Sequence, residues 1–373
     1  MTDILFHSEE ILGKKRVSWA DYARGIAVIL VVNKHLLMGL GGAHISLNSW
    51  VVAGNDVFFN FRMPMFFILS GIFIGKALVK KSAFQIISGR LDTVMYPYLI
   101  WSFIQISLQI LLRNYTNAKK SVQDYTYILY RPHMIEQFWY LYALFLVTAL
   151  YVLIKYYLKP SVWAQLILGI ILYFLSSFLK PDVSQFKVDD SLLHDVLYFY
   201  IFFAIGDAVS GLVLKKDNFE RIASLRNLFY IIIPFVLSQA WWLYHRNPFI
   251  LVFGCIVLLG CMFLYLISFL LDRYRLLPWL RVIGNYSLYI YVMHILAISA
   301  TRILLIKFLH QQNFYVLMIV CELTGVILPI VFYNLTMQHG LWFLYTFVRP
   351  VQTNVAVIPS NTKQPDPSRT VRL

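Results

Sequence analysis

The sequence predicts an all-α, polytopic helical membrane protein of about ten transmembrane helices with both termini cytoplasmic. Three observations carry that prediction. Of the 373 residues, 60% are hydrophobic and only 13% charged, with a mean hydropathy of +0.67, whereas a soluble domain carries roughly 25% charged residues. Apolar stretches of ~20 residues recur along almost the whole chain, each long enough to cross a hydrocarbon core of ~30 Å. Cations, finally, are concentrated in alternate loops. The formal charge of +14 and pI near 9.5 therefore read first as a topological signal, and no nucleic acid is expected among the partners. Cys255, Cys261 and Cys321 all fall within apolar stretches. They read as small packing residues, not as a disulfide framework or a metal cluster.

Met1 to Lys15 is polar, and the first apolar run follows Lys14, Lys15 and Arg16 without a small-residue cleavage site, so a retained helix is expected over 18–38. Further spans are predicted at 57–75, 92–112, 138–154, 162–179, 196–214, 228–245, 249–271, 283–306 and 315–336. An even number places both termini on one side. That side collects Lys14, Lys15, Arg16, Lys76, Lys80, Lys81 and further cations through Arg281, together with the basic tail. The other side has only Arg113, Lys119, Lys120, Arg131, Lys180, Lys187, Arg246 and Lys307. The bias of roughly twofold assigns the first side to the cytoplasm. Residues 1–16 then form a cytoplasmic segment and 17–348 one membrane domain, and 349–373, rich in Gln, Asn, Thr, Ser and Pro, a disordered cytoplasmic tail. The outer loops near 113–137 and 180–195 are too small for cores of their own. Leu341 to Val348 is too short to span, and is expected at the interface or as an extension of the tenth helix.

Ionisable groups inside spans are costly and mark either function or paired structural groups. Five stand out: Arg24, His35, Arg62, His294 and Glu322. Eleven positions separate Arg24 from His35, close to three helical turns, so the two share a face with His35 ~16 Å further along. Either they line one passage, or Asp21 caps the helix, Arg24 snorkels and His35 is a satisfied bundle histidine. In the second span Pro64 is expected to kink or loosen the helix and Gly71 to permit close packing. Arg62 beside them either holds a carbonyl or anionic group, or pairs with Asp56. His294 lies ~15 Å along its helix from Gly284, a depth like that of His35, which fits a shared polar chamber as well as a packed histidine. Arg302 and Glu322 stand at nearly equal distances from the loop around Gln312 and are expected to form a structural ion pair.

Taken in order, five motifs resemble the acyltransferase 3 family, integral membrane enzymes that acylate extracytoplasmic glycans and other acceptors. They are the Arg24 to His35 spacing after Asp21; Met63-Pro64-Met65-Phe66-Phe67-Ile68-Leu69-Ser70-Gly71; Arg90, Pro97 and Trp101; Phe138-Trp139-Tyr140-Leu141; and Gly284 through Tyr291 to His294. The resemblance covers about 18–345, and its wording is similar to that of sugar O-acetylases. Two departures are Arg62, where a histidine more often stands, and Lys34 immediately before His35.

The resemblance implies an acyl-CoA donor, usually acetyl-CoA, delivered from the cytoplasm to a hydroxyl of an extracytoplasmic or lipid-linked glycan, in a bacterial inner membrane. Membrane lipid, acyl-CoA and the glycan are then the partners, and no metal is expected. CoA phosphates favour the basic inner surface, where Arg24, Lys76, Lys80, Lys81, Arg90 and Arg281 are the candidates. His35 is the expected general base, since imidazole titrates near neutral pH, with an acyl-histidine intermediate as the competing scheme. Arg62 is the candidate for the developing oxyanion, Arg24 for positioning the donor, and His294 for orienting the acceptor or sharing the proton relay. The alternative function is a transporter or flippase of a lipid-linked glycan. Inverted repeats or paired broken helices would favour it, and neither is visible in the sequence.

Overall fold

The computed structural model describes residues 6–13, 17–117, 119–179, 192–245 and 248–349. All regular structure among the described residues is helical, as a bilayer demands, because only a helix or a closed barrel satisfies every backbone N–H and C=O without water. Ten helices are long and apolar enough to cross a membrane. They run Ser18–Gly42, Ser49–Lys80, Ala83–Leu111, Pro132–Leu158, Val162–Leu179, Leu192–Val213, Leu225–Tyr244, Ile250–Arg273, Ser287–Phe308 and Phe314–Gln338, and are called spans 1 to 10. All ten predicted spans are present. The tail beyond 349 and the basic residues Lys14, Lys15 and Arg16 lie outside the described residues.

Span 1 is the axis of the bundle. It packs against spans 2, 8, 9 and 10, and Ala23, Ala27, Val28, Val32 and Leu36 along it are fully buried. Spans 5 and 7 present most of their apolar side chains outward, including Trp163, Ile167, Phe229 and Ile233, as expected of lipid-facing helices. Small residues set the closest crossings. Gly71 of span 2 meets the Phe203 carbonyl of span 6, while Gly206 of span 6 meets the Ile68 carbonyl of span 2. Gly25 of span 1 lies likewise against the Leu280 carbonyl, and Gly284 against the Asp21 carbonyl. Backbone thus touches backbone where span 1 begins.

Three local expectations are corrected. Span 2 is broken, but not at Pro64: a helix over Ser49–Val57 ends, and a second begins at Arg62, so Pro64 falls in a first turn, where no intrahelical N–H is needed. Asp21 does not cap span 1, whose N-cap is Val17; its carboxylate instead accepts from Arg24 Nη1 at 2.9 Å. The expected Arg302–Glu322 pair is also absent among the described residues. Arg302 donates to the Gly39 carbonyl, whereas Glu322 accepts from Asn33 Nδ2 at 3.3 Å. Both reach span 1, but at levels six residues, ~9 Å, apart. Equal distance from a hairpin loop fixes depth and not rotation about the helix, and both side chains are turned toward the central span.

The segment after span 10 neither spans nor extends it. A short turn at Trp342–Leu344 folds back on span 3, where Trp101 Nε1 donates to the Leu344 carbonyl at 3.0 Å and Tyr96 Oη to the Phe343 carbonyl at 2.6 Å. Asp92 fastens the same segment, accepting from the Thr346 hydroxyl at 2.8 Å and the Phe347 N–H at 2.6 Å. Cys261 and Cys321 are buried packing residues, and Cys255 is exposed on span 8.

Candidate active site

Three consecutive cavities run along span 1. On the face where span 1 begins (the first face) lies one of about 330 Å³, walled by Arg24, Arg90, Ser70, Phe73, Tyr140 and Tyr291. The next, about 220 Å³, shares Tyr291 with it and adds Lys34, His35, Arg62, Trp139 and Phe199. A third of about 700 Å³ shares Lys34, His35 and Trp139 with the second. It extends toward the opposite (second) face among Gly39, Asn117, His133, Glu136 and Arg302. His35 therefore stands where the two further cavities meet, and Arg24 at the start of the series, on the one helix that carries both.

The histidines come together as their depths suggested. The ring centroids of His35 and His294 are 5.1 Å apart. His294 is fully buried, and its Nδ1 lies 3.1 Å from the Ile290 carbonyl and 2.8 Å from that of Tyr291. Two acceptors at Nδ1 require that nitrogen to carry the proton, which leaves Nε2 as a lone-pair acceptor. Nε2 has no hydrogen-bond partner among the described residues. A fixed tautomer beside a second imidazole is what a proton relay needs.

Arg62 is 2% exposed and lies within electrostatic reach of the Asp56 carboxylate. Its guanidinium bridges the break in span 2 to span 1: Nε donates to the Phe58 carbonyl at 3.0 Å, Nη1 to the Leu30 carbonyl at 2.7 Å, and Nη2 to the carbonyl and side-chain oxygen of Asn55 at 2.8 and 3.0 Å. Four of its five N–H groups are thus engaged, and one on Nη1 is left for another acceptor. Arg62→Ala is expected to leave three backbone carbonyls without this donor and to lower the melting temperature of the detergent-purified protein by several degrees, with Arg62→Lys unable to restore it because an ammonium lacks the planar fork. A lysine variant as stable as the parent would contradict that bracing role.

Of the residues expected to hold the donor, Arg24 and Arg90 come together in the first-face cavity. Lys76, Lys80 and Lys81 are exposed at the end of span 2 and line none of the three cavities. Arg281 is also outside those walls, near Asp272 and Tyr22. The sequence reading missed Tyr140 and Tyr291 as cavity walls although both lie in quoted motifs. The Tyr291 hydroxyl donates to the Gln137 carbonyl and so joins span 9 to the start of span 4. Also missed was the contact of His133 Nε2 with Asp195 at 2.6 Å, beside the Trp139 ring that stacks on the imidazole. The only sequence signal for it was an acidic residue one position before a predicted span.

The fold and cavities define an integral-membrane protein with His35 where two cavities meet and His294 packed behind it. The family model described as an acyltransferase domain matches residues 17–335, and the chain belongs to the acyltransferase 3 family. It is also similar to the nodulation protein NolL of Mesorhizobium japonicum, with 26% identity over 152 residues, 38% of this chain and 37% of that protein. The match thus spans well under half the length of that relative. No solved structure matches the chain.

Proposed function

We propose that the protein is an O-acetyltransferase that takes an acetyl group from cytoplasmic acetyl-CoA and delivers it to a hydroxyl of an extracytoplasmic or lipid-linked glycan, in a bacterial inner membrane with both termini cytoplasmic. The single observation that carries this reading is the meeting of the cavities at His35. A donor and an acceptor that arrive from opposite faces need one shared point of chemistry, and an imidazole there is suited to the proton transfer.

Arg24 and Arg90 offer charge-assisted donors to the phosphates of CoA, and the thin acyl-bearing arm runs past Tyr140 and Tyr291 toward His35. The acceptor oxygen attacks the thioester carbonyl as His35 takes its proton. The carbon–sulfur bond breaks, and the proton passes to the departing CoA thiolate. The remaining N–H of Arg62 faces the developing oxyanion, and His294 Nε2 accepts a hydrogen bond from His35 or from the hydroxyl. Transfer by way of an acetyl-histidine uses the same atoms in two steps.

The test is acetyl-CoA labelled in the acetyl group, offered to the purified protein in nanodiscs with glycan extracted from cells lacking the gene. Label on the glycan, stable to gel filtration and released by mild base, is the expected result. A transporter or flippase would leave none. Arg24→Ala is expected to weaken acetyl-CoA binding by ~10-fold or more, since a hydrogen bond to a charged group contributes roughly 1.5–3 kcal/mol, while Lys76→Ala, outside the cavity, has a smaller effect. Equal affinities in the two variants, measured by calorimetry, would remove Arg24 from the donor path.

A further inference from the structure

The third cavity carries a polar wall that the chemistry above does not use. Glu136, in the first turns of span 4, adopts φ +53° and ψ −118°, a backbone conformation that side chains other than glycine rarely take. Its carboxylate is held on one edge by two amides of span 3, Oε1 accepting from Gln109 Nε2 at 3.1 Å and Oε2 from Gln105 Nε2 at 3.2 Å. Gln105 is fixed in turn by a mutual pair with Gln137, whose Nε2 donates to Gln105 Oε1 at 2.9 Å. The network orients the carboxylate without saturating it, because each oxygen has capacity for a further hydrogen bond. Gln109 is 7% exposed and its Oε1 has no hydrogen-bond partner among the described residues. Both Glu136 and Gln109 line the cavity that contains His35.

These atoms are all acceptors. The cavity has donors of its own, but Arg302 and Asn117 give theirs to the Gly39 carbonyl, so the open positions on these three oxygens suit a ligand rich in O–H groups, because unpaired buried acceptors are costly. We propose that Glu136 and Gln109 form a clamp for neighbouring hydroxyls of the acceptor sugar, and that this clamp positions the sugar so that one particular hydroxyl faces His35. The inference rests on the acyltransferase reading above and adds the residues that select the acceptor. Glu136 is a positioning residue. It takes no part in the proton transfer, and its strained backbone is retained because the carboxylate is needed at that point of the wall.

The clamp makes two effects move in opposite directions. In Glu136→Gly the backbone strain is relieved, so the melting temperature in detergent is expected to rise while the KM for extracted glycan increases at least ~10-fold, the loss of about 1.4 kcal/mol of binding. In Glu136→Gln the shape is kept and the charge lost, so the glycan KM rises with acetyl-CoA affinity unchanged. Acetyl-CoA affinity is measured by calorimetry and transfer by labelled acetate on glycan, in nanodiscs. If wild-type protein labels the glycan and both variants do so with its KM, the clamp is wrong and the acyltransferase reading stands. If wild-type protein neither binds acetyl-CoA nor labels glycan, the acyltransferase reading falls and the clamp with it. A Glu136→Gly protein that is less stable than the parent makes the carboxylate a structural brace and also overturns the proposal.

Discussion

His35→Ala abolishes acyl transfer while the protein still inserts, purifies and binds acetyl-CoA. A positioned general base contributes about 10²–10⁴-fold, and the loss here is expected at the upper end, because the proton's alternative acceptor, His294, lies on another helix with its Nδ1 already engaged by two carbonyls. The histidine is partly open to two cavities, so alanine enlarges a space that already exists instead of opening a hole in a packed core. Stability should therefore change little. The measurement is labelled-acetyl transfer together with the melting temperature of the same sample. Transfer within ~10-fold of wild type would remove His35 as the base. His294→Ala should have a smaller effect on the rate.

The largest loss of stability is expected from Gly284→Ala. A methyl group on Gly284 would run into the Asp21 carbonyl of span 1, a backbone atom that no rotamer change can move. Gly25 faces the Leu280 carbonyl in the same crossing, so the two helices can relieve the clash only by separating. Overpacking of cores costs about 1–3 kcal/mol where side chains can yield, and a backbone contact should lie at or above the top of that range. Separation there also displaces Arg24, nearly two turns into span 1, from Arg90. The variant should purify poorly, melt several degrees lower and lose acetyl-CoA affinity. Gly211→Ala is the control, since nothing lies within 4 Å of the methyl it would introduce. Equal stability of the two variants would mean that the close crossing does not hold span 1 in place.

Fold and site were legible in the sequence to different depths. Length and hydropathy of each apolar run state directly whether it can cross a bilayer, so all ten spans were readable. The helical period alone brought Arg24 and His35 to one face, and depth alone brought His294 level with His35. Depth failed for Arg302 and Glu322, because rotation about the helix axis is set by neighbours that a single hairpin does not contain. It failed again for Arg62, three of whose four acceptors are main-chain carbonyls, those of Leu30, Asn55 and Phe58, which have no side-chain signature. Glu136 was invisible for a further reason. It lies in a connection that reads as a polar loop, and only the backbone angles and the glutamines of span 3 turn it into part of a cavity wall. Lys76, Lys80 and Lys81 illustrate the opposite error, since a basic run at a span end satisfies the topological rule without entering the cavity that Arg24 and Arg90 share.

The central claim is that the acetyl group passes His35 between a donor held on one face of the membrane and an acceptor held on the other. Right-side-out membrane vesicles carrying the protein, loaded with labelled acetyl-CoA and supplied externally with extracted glycan, test this directly. Label should appear on the external glycan, should be absent in vesicles carrying His35→Ala, and should fail to appear when acetyl-CoA is supplied outside instead. Equal labelling with acetyl-CoA on either side, or labelling only when donor and glycan share one compartment, would contradict it.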